Sequence, residues 1–319
     1  MRTWLTETFG LAVPVVGAPM AGAGSGRLAG AVSAAGALGM IGAGHAASPH
    51  WVTEQCRLAA GSGRPFGVGL MAWALELDAA PLEAVIAARP ALVSVSFGPY
   101  ARHTRALQDA GIAVATQVGC LAEAREAERA GVDLVVARGG EGGGHGRNDV
   151  ATLPLLQLVL DTISTPVVAA GGIATARGVA AVLAAGAAGA WVGTAFLTCR
   201  EADTPAPARQ RLFDATDTDT AYGRVFDVAQ RLAWPPEYGG RALRNAWFDR
   251  WEGHEEELLA DDGAAAELSR ARAEQDLDVA YVYAGQGAAR LERDRTAADV
   301  VAELAGAGEL LRRAAGSLT

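Results

Sequence analysis

Between Gly139 and Gly146, six of the eight residues are glycine, and the other two are Glu141 and His145. A backbone so bare of side chains can lie close to a ligand, because every missing Cβ removes a steric barrier. Gly143 and Gly144 would let the loop lie flat against a planar group. An imidazole set in such a loop can take or give a proton near neutral pH. His145 is therefore the candidate catalytic residue, and Glu141 is expected to cap or hydrogen-bond the loop. His45, His50, His103 and His254 lack a partner or spacing that would lift them above a structural role.

Two more glycine turns lie late in the chain, in "AAGGIAT" and "VGTAFL". Gly171, Gly172 and Gly193 let backbone N–H groups approach an anion, and a helix after each turn would add its positive N-terminal end. As a pair they read as a phosphate clamp. Other patterns carry less. "GAGHAA", from Gly42 to Ala47, fits G-x-G-x-x-A, but no acidic residue is placed to hold a ribose, so it reads as a turn. "DATDTDT" lacks the glycine and terminal Glu of a calcium loop and reads as a surface turn or helix start. With no G-x-S-x-G, a hydrolase elbow is not supported.

Composition removes whole classes of chemistry. All 27 basic residues are Arg, which excludes Schiff-base and P-loop lysine mechanisms but leaves guanidinium groups to clamp anions. Cys56, Cys120 and Cys199 are widely spaced without C-x-x-C, so neither a disulfide framework nor a metal site is expected, and a reducing compartment fits. A net charge of -9 disfavours nucleic acid and anionic membrane. "MRTWLTETFG" has no apolar signal core, and the Ala/Gly-rich runs are interrupted too often to span a bilayer, so a cytoplasmic protein is expected.

What positions the candidate residues is a repeating pattern of strands and helices. Nearly all-apolar runs fall at Val13–Ala18, Gly39–Ala43, Phe66–Met71, Leu92–Phe97, Ala113–Val118, Leu134–Ala137, Val167–Ala170 and Ala190–Gly193. They read as strands covered on both faces. Helical runs separate them, with Ser48 and Pro49 as a start signal and Gly131 as a stop. Eight βα units predict a (β/α)8 TIM barrel over residues 1–200; a doubly wound sheet has the same local pattern, and only the count separates the two.

Barrels carry function on the loops after their strands. That rule puts the clamp after strands seven and eight and His145 beside it, after strand six. Residues 201–275 turn charged and aromatic and predict a helical insertion or lid after strand eight. Its Trp234, Trp247 and Trp251 could form its own core, wall the cavity mouth or bury themselves in a homodimer contact. Residues 276–319 are expected to pack back on the barrel, with "AADVVAELAGAGELLRRAAG" as a terminal helix.

Three separated stretches carry a resemblance: "GAPMAGAGSGRLAGAVSAAGALGMIGAG", "TQVGCLAEAREAERAGVDLVVARGGEGGGHGR" and "PVVAAGGIATARGVAAVLAAGAAGAWVGTAFL". In this order they are similar to the nitronate monooxygenases, formerly 2-nitropropane dioxygenases, which are FMN-dependent TIM barrels. The resemblance implies oxidation of alkyl nitronates with O2 to a carbonyl compound and nitrite. It implies FMN over the barrel mouth against Ala18, Pro19 and Met20, with Gln117 near the isoalloxazine and the phosphate held by Gly171, Gly172, Gly193 and Thr194. Gly139, Gly143 and Gly144 fall on its cofactor side, and His145 matches the family's active-site histidine.

The chain departs from the pattern at two places near the expected flavin. Arg138 stands where many relatives have Gln, and Gly69 where an Asn often follows "FGV". The same fold serves flavin-type enoyl-acyl carrier protein reductases and NADH:quinone reductases, so an NAD(P)H-dependent reductase is the rival reading. A noncatalytic barrel holding a phosphorylated ligand is the rival from another class.

Overall fold

The computed structural model describes residues 1–317. The strands are β1 (Val15–Gly17), β2 (Leu38–Gly42), β3 (Phe66–Met71), β4 (Leu92–Ser96), β5 (Ala113–Val118), β6 (Leu134–Arg138), β7 (Gly144–Gly146), β8 (Val167–Ala170) and β9 (Gly189–Val192). All but β7 pair in parallel and close a barrel, sealed where Val16 of β1 meets Trp191 of β9. Closure settles the count in favour of the (β/α)8 fold. Strand ends match the sequence expectation to within one or two residues at most ends, the scatter normal for such boundaries.

Two apolar layers hold this frame. Inside the barrel Val16, Leu38, Met40, Leu92, Leu134, Val136, Val168 and Trp191 pack together, with Leu5 and Phe9 of the first helix among them. Leu5 lies against the start of β9, because a Cβ at Gly189 would meet it at 2.7 Å. The Trp4–Phe9 helix is thus the floor. A second layer joins the outer strand faces to the surrounding helices through residues such as Val68, Val93, Val135 and Leu155. Helix ends follow the sequence signals: Ser48 Oγ accepts from Trp51 N–H, and Gly131 ends the Leu121–Ala130 helix at φ 75°.

Past the barrel the segment carries the expected helices and two strands as well, β10 (Thr220–Gly223) and β11 (Gly239–Leu243). These strands are antiparallel to each other, and β11 also pairs antiparallel with β7, placing Gly240 opposite His145. The insertion is therefore stitched to the glycine-rich loop. It has its own core of Val225, Phe226, Ala242, Trp247, Phe248, Trp251 and Leu268. Burial of Trp247 and Trp251 thus needs no second copy of the chain.

The terminal run expected as one helix is two, Ala297–Ala305 and Ala307–Gly316, parted at Gly306. The first packs on the Gly26–Ala34 helix and the second on the Ala176–Ala184 helix. Among the described residues no helix is long and apolar enough to cross a membrane.

Candidate active site

A cavity of about 860 Å³ opens at the C-terminal ends of the barrel strands. Of the residues singled out from sequence, Ala18, Pro19, Met20, Gly69, Gln117, Arg138, Gly143, Gly144, His145, Gly171, Gly172, Gly193 and Thr194 all line it. Gly139 does not. A Cβ there would fall 2.1 Å from Thr152 N, so this glycine makes room for a helix end instead of a ligand.

The two late turns present unused donors. Among the described residues, the amides of Gly172, Ile173, Gly193 and Thr194 donate to no acceptor in the protein. Gly171 and Gly172 reach this geometry at φ 106° and 67°, where other residues are strained. The Ala176–Ala184 helix follows the first turn, as expected. After Gly193 comes only a single 3-10 turn, Thr194–Phe196, so the second turn offers amides without an α-helix behind them. Free amides lining one cavity suit a phosphate dianion. Thr194 Oγ1 also accepts from Gly285 N–H at 3.0 Å, which ties the C-terminal segment to the clamp. Sequence reasoning missed Gly285; "AGQG" was the only trace of it.

Beside these turns, where a Cβ on Gly171 would fall 3.0 Å from Gly139 O and 3.1 Å from Gly142 N, the glycine-rich loop is held by two guanidinium groups. Arg138, 3% exposed, donates to the carbonyls of Gly142, Gly144 and Arg147, and among the described residues forms no ion pair. Burial pushes it down to about 10, so it remains a cation at neutral pH. Arg241 donates to Gly140 O at 2.7 Å, Asn148 Oδ1 at 2.8 Å and Thr220 Oγ1 at 3.2 Å. Two buried cations thus saturate loop carbonyls that would otherwise cost free energy out of water. Glu141 accepts from Thr152 N at 2.8 Å and Oγ1 at 2.7 Å, capping the Thr152–Leu160 helix as the sequence suggested. Gln117 Nε2 donates to His145 O at 3.1 Å, so it tethers the loop.

Two glycines serve packing where the sequence pointed to a ligand. A Cβ at Gly143 would sit 2.4 Å from Gly285 N, so its absence admits a neighbouring backbone. At Gly69 a Cβ would strike Pro19 at 2.4 Å, leaving no space for a longer side chain beside that ring. Gly144, at φ 66° with open space beside it, is free to face a ligand.

His145 is held on several sides. Its ring stacks on Trp234 with centroids 3.7 Å apart and planes within 5°. Nε2 lies 2.9 and 3.0 Å from the two carboxylate oxygens of Asp227, whose side chain is 2% exposed. Tyr283 closes the cluster, with its hydroxyl 3.4 Å from Asp227 Oδ1. Burial, with Asp227 adjacent, pushes the Tyr283 phenol well above its ordinary range, so it stays a donor. Trp73, Phe97 and Tyr238 extend the wall, Trp73 and Phe97 touching the Trp234 ring at 5.2 and 5.1 Å. Trp234 itself lines the cavity, one of the roles open to it from sequence.

Asp227 was not legible in the sequence. It lies 82 residues from His145, in the Val225–Ala229 helix, whose composition marks nothing catalytic. His45 lines the cavity, stacked on Trp73, so its position is less bland than its sequence context. His103 is buried beside Glu76, and burial holds it below the usual histidine range, consistent with a structural role.

A parallel eight-strand barrel with free amides and a paired imidazole lining one cavity at its mouth defines an enzyme of the (β/α)8 class. The chain belongs to the nitronate monooxygenase family, whose model matches residues 68–306. It is an oxidoreductase. A nitronate monooxygenase of Pseudomonas aeruginosa is 32% identical, over 95% of this chain and 98% of its own. Another relative, also 32% identical, is a 5-hydroxy-7a-methyl-1-oxo-octahydro-1H-indene-4-carboxyl-CoA dehydrogenase of Rhodococcus jostii, matched over 88% of this chain and 82% of its own. Among solved structures, the nitroalkane oxidase of Streptomyces ansochromogenes superposes with a TM-score of 0.82 at 29% identity, covering 99% of both chains.

Proposed function

We propose that this protein oxidises alkyl nitronates with O2, using FMN, to give a carbonyl compound and nitrite. The observation that carries this reading is that the unused amides at Gly172, Ile173, Gly193 and Thr194 line the same cavity as His145. Those amides fit a phosphate dianion, and Ala18, Pro19, Met20, Gln117 and Gly144 would flank the ring. Once bound, FMN would supply the electron-accepting group and the route to O2, chemistry that no side chain here provides.

The chain's own residues bind, orient and move a proton. His145 would hold the anionic nitronate, or remove the α-proton of a neutral nitroalkane. Trp234 and Phe97 line the cavity with apolar rings, Phe97 backed by Tyr238, and would strengthen polar contacts made inside it. Arg138 adds a fixed positive charge under the loop, favourable to any anion in the cavity.

Absorbance of the purified protein, before and after FMN is added, tests the cofactor; O2 uptake with propionate 3-nitronate tests the reaction. The expected result is a yellow protein with brisk uptake. A colourless protein that cannot be reconstituted overturns the reading. His145→Asn should lower turnover of neutral nitroalkanes by about 100-fold or more, while FMN stays bound. A second reading, an NAD(P)H-dependent reductase of an acyl thioester or quinone, is supported by the equal identity to a carboxyl-CoA dehydrogenase. Anaerobic bleaching of the flavin by NADH, with no O2 uptake on nitronate, would select it.

A further inference from the structure

We infer that Asp227 is the residue that positions His145, fixing the neutral ring as the Nε2–H tautomer so that Nδ1 is the atom presented to substrate. The inference rests on the proton-abstraction role proposed above. A carboxylate only accepts hydrogen bonds, and both Asp227 oxygens lie within 3.0 Å of Nε2, so Nε2 must carry the hydrogen. Tyr283 donates to the same carboxylate, leaving the acid occupied by two donors. Among the described residues nothing hydrogen-bonds Nδ1, although the ring lines the cavity.

Rotation of the ring is blocked by the same contacts. Trp234 covers one face at 3.7 Å, the Tyr283 ring lies 5.1 Å away, and the backbone is pinned by pairing with Gly240. Turning the imidazole over would leave the Asp227 carboxylate, 2% exposed, without its nearest donor, a costly state for a buried charge. The step this permits is balanced. The α-C–H bond of a neutral nitroalkane breaks, its electron pair stays on carbon as the nitronate, and the proton forms a bond to Nδ1. No electron leaves the substrate in this step. The imidazolium so formed lies between the Asp227 carboxylate and the π face of Trp234, both favourable to positive charge.

Long-range 1H–15N spectra of protein labelled at its five histidines read the tautomer directly, with His145 assigned by its loss in His145→Asn. The expected signal is a protonated Nε2 and a bare Nδ1; a protonated Nδ1 in the neutral ring would overturn the inference. Asp227→Asn can donate as well as accept, so that signal should shift toward the other tautomer. In the same variant, kcat on a neutral nitroalkane should fall about 100-fold, while turnover of the preformed nitronate, which needs no proton removed, should change less than about threefold. Equal losses on both substrates would mean that Asp227 only holds the wall together. Asp227→Glu should restore part of the lost rate. If the unmodified protein oxidises neither compound, the functional reading fails, and the spectra still decide the tautomer.

Discussion

Two parts of the site are built from different materials. In one the backbone of Gly171–Ile173 and Gly193–Thr194 supplies unused amides, from short turns each contiguous in sequence. In the other His145, Asp227, Trp234 and Tyr283 supply side chains from three separate stretches, joined by hydrogen bonds and ring contacts. Main-chain anion binding needs little more than a permissive backbone, so it can be written locally. Acid–base chemistry needs a particular group held at a particular angle, and that takes neighbours brought from far along the chain.

Four substitutions would break or sharpen this contrast. Gly171→Val should have the largest effect on the clamp side. Its Cβ would meet Thr152 Oγ1 at 2.6 Å and Gly139 O at 3.0 Å, at φ 106°, adding about 1–3 kcal/mol of backbone strain to the clash. Retention of FMN after gel filtration should be lost. On the wall side, Trp234→Ala removes a ring that is 7% exposed. Calorimetry should show about 3 kcal/mol of lost stability. Substrate KM should rise about tenfold, which is about 1.4 kcal/mol, with the Kd for FMN nearly unchanged. If FMN binding weakened as much as KM rose, the two sides would not be separable.

A smaller change is expected from Thr194→Val, which strands the Gly285 amide. The loss should be about 1 kcal/mol, read as several-fold weaker FMN binding with the tautomer of His145 unmoved. Smallest is Glu141→Gln, where a neutral acceptor replaces the charged one at the Thr152–Leu160 helix end. Thermal melting should drop by about 2 °C, with both KM and FMN affinity preserved.

Legibility in the sequence follows the same division. Each barrel strand is a short apolar run with punctuation on both sides, so all eight stood out, as did the Ser48 start and the Gly131 stop. His145 stood out because its neighbours are almost all glycine. Glycine itself was ambiguous: the residue type shows that a Cβ is excluded but not what excludes it. At Gly143 the answer is the backbone of Gly285, and at Gly139 it is Thr152, where the sequence pointed to a ligand. β10 and β11, four and five residues long, carried too little alternation to be read as strands. Asp227 resembles any acid on a short helix until the fold sets it against an imidazole.

By itself, the sequence determined the barrel and singled out the two late glycine turns and the histidine, because each depends on propensity and spacing within a few residues. Only the tertiary structure decided which glycines face the cavity, which acid holds the imidazole and which ring covers it. The acid and the ring lie 80 or more positions from the imidazole, as His145 and Asp227 are at 82. Chain closure over such a distance is enforced by the collective burial of the barrel and insertion cores, and leaves no mark on either residue's local sequence.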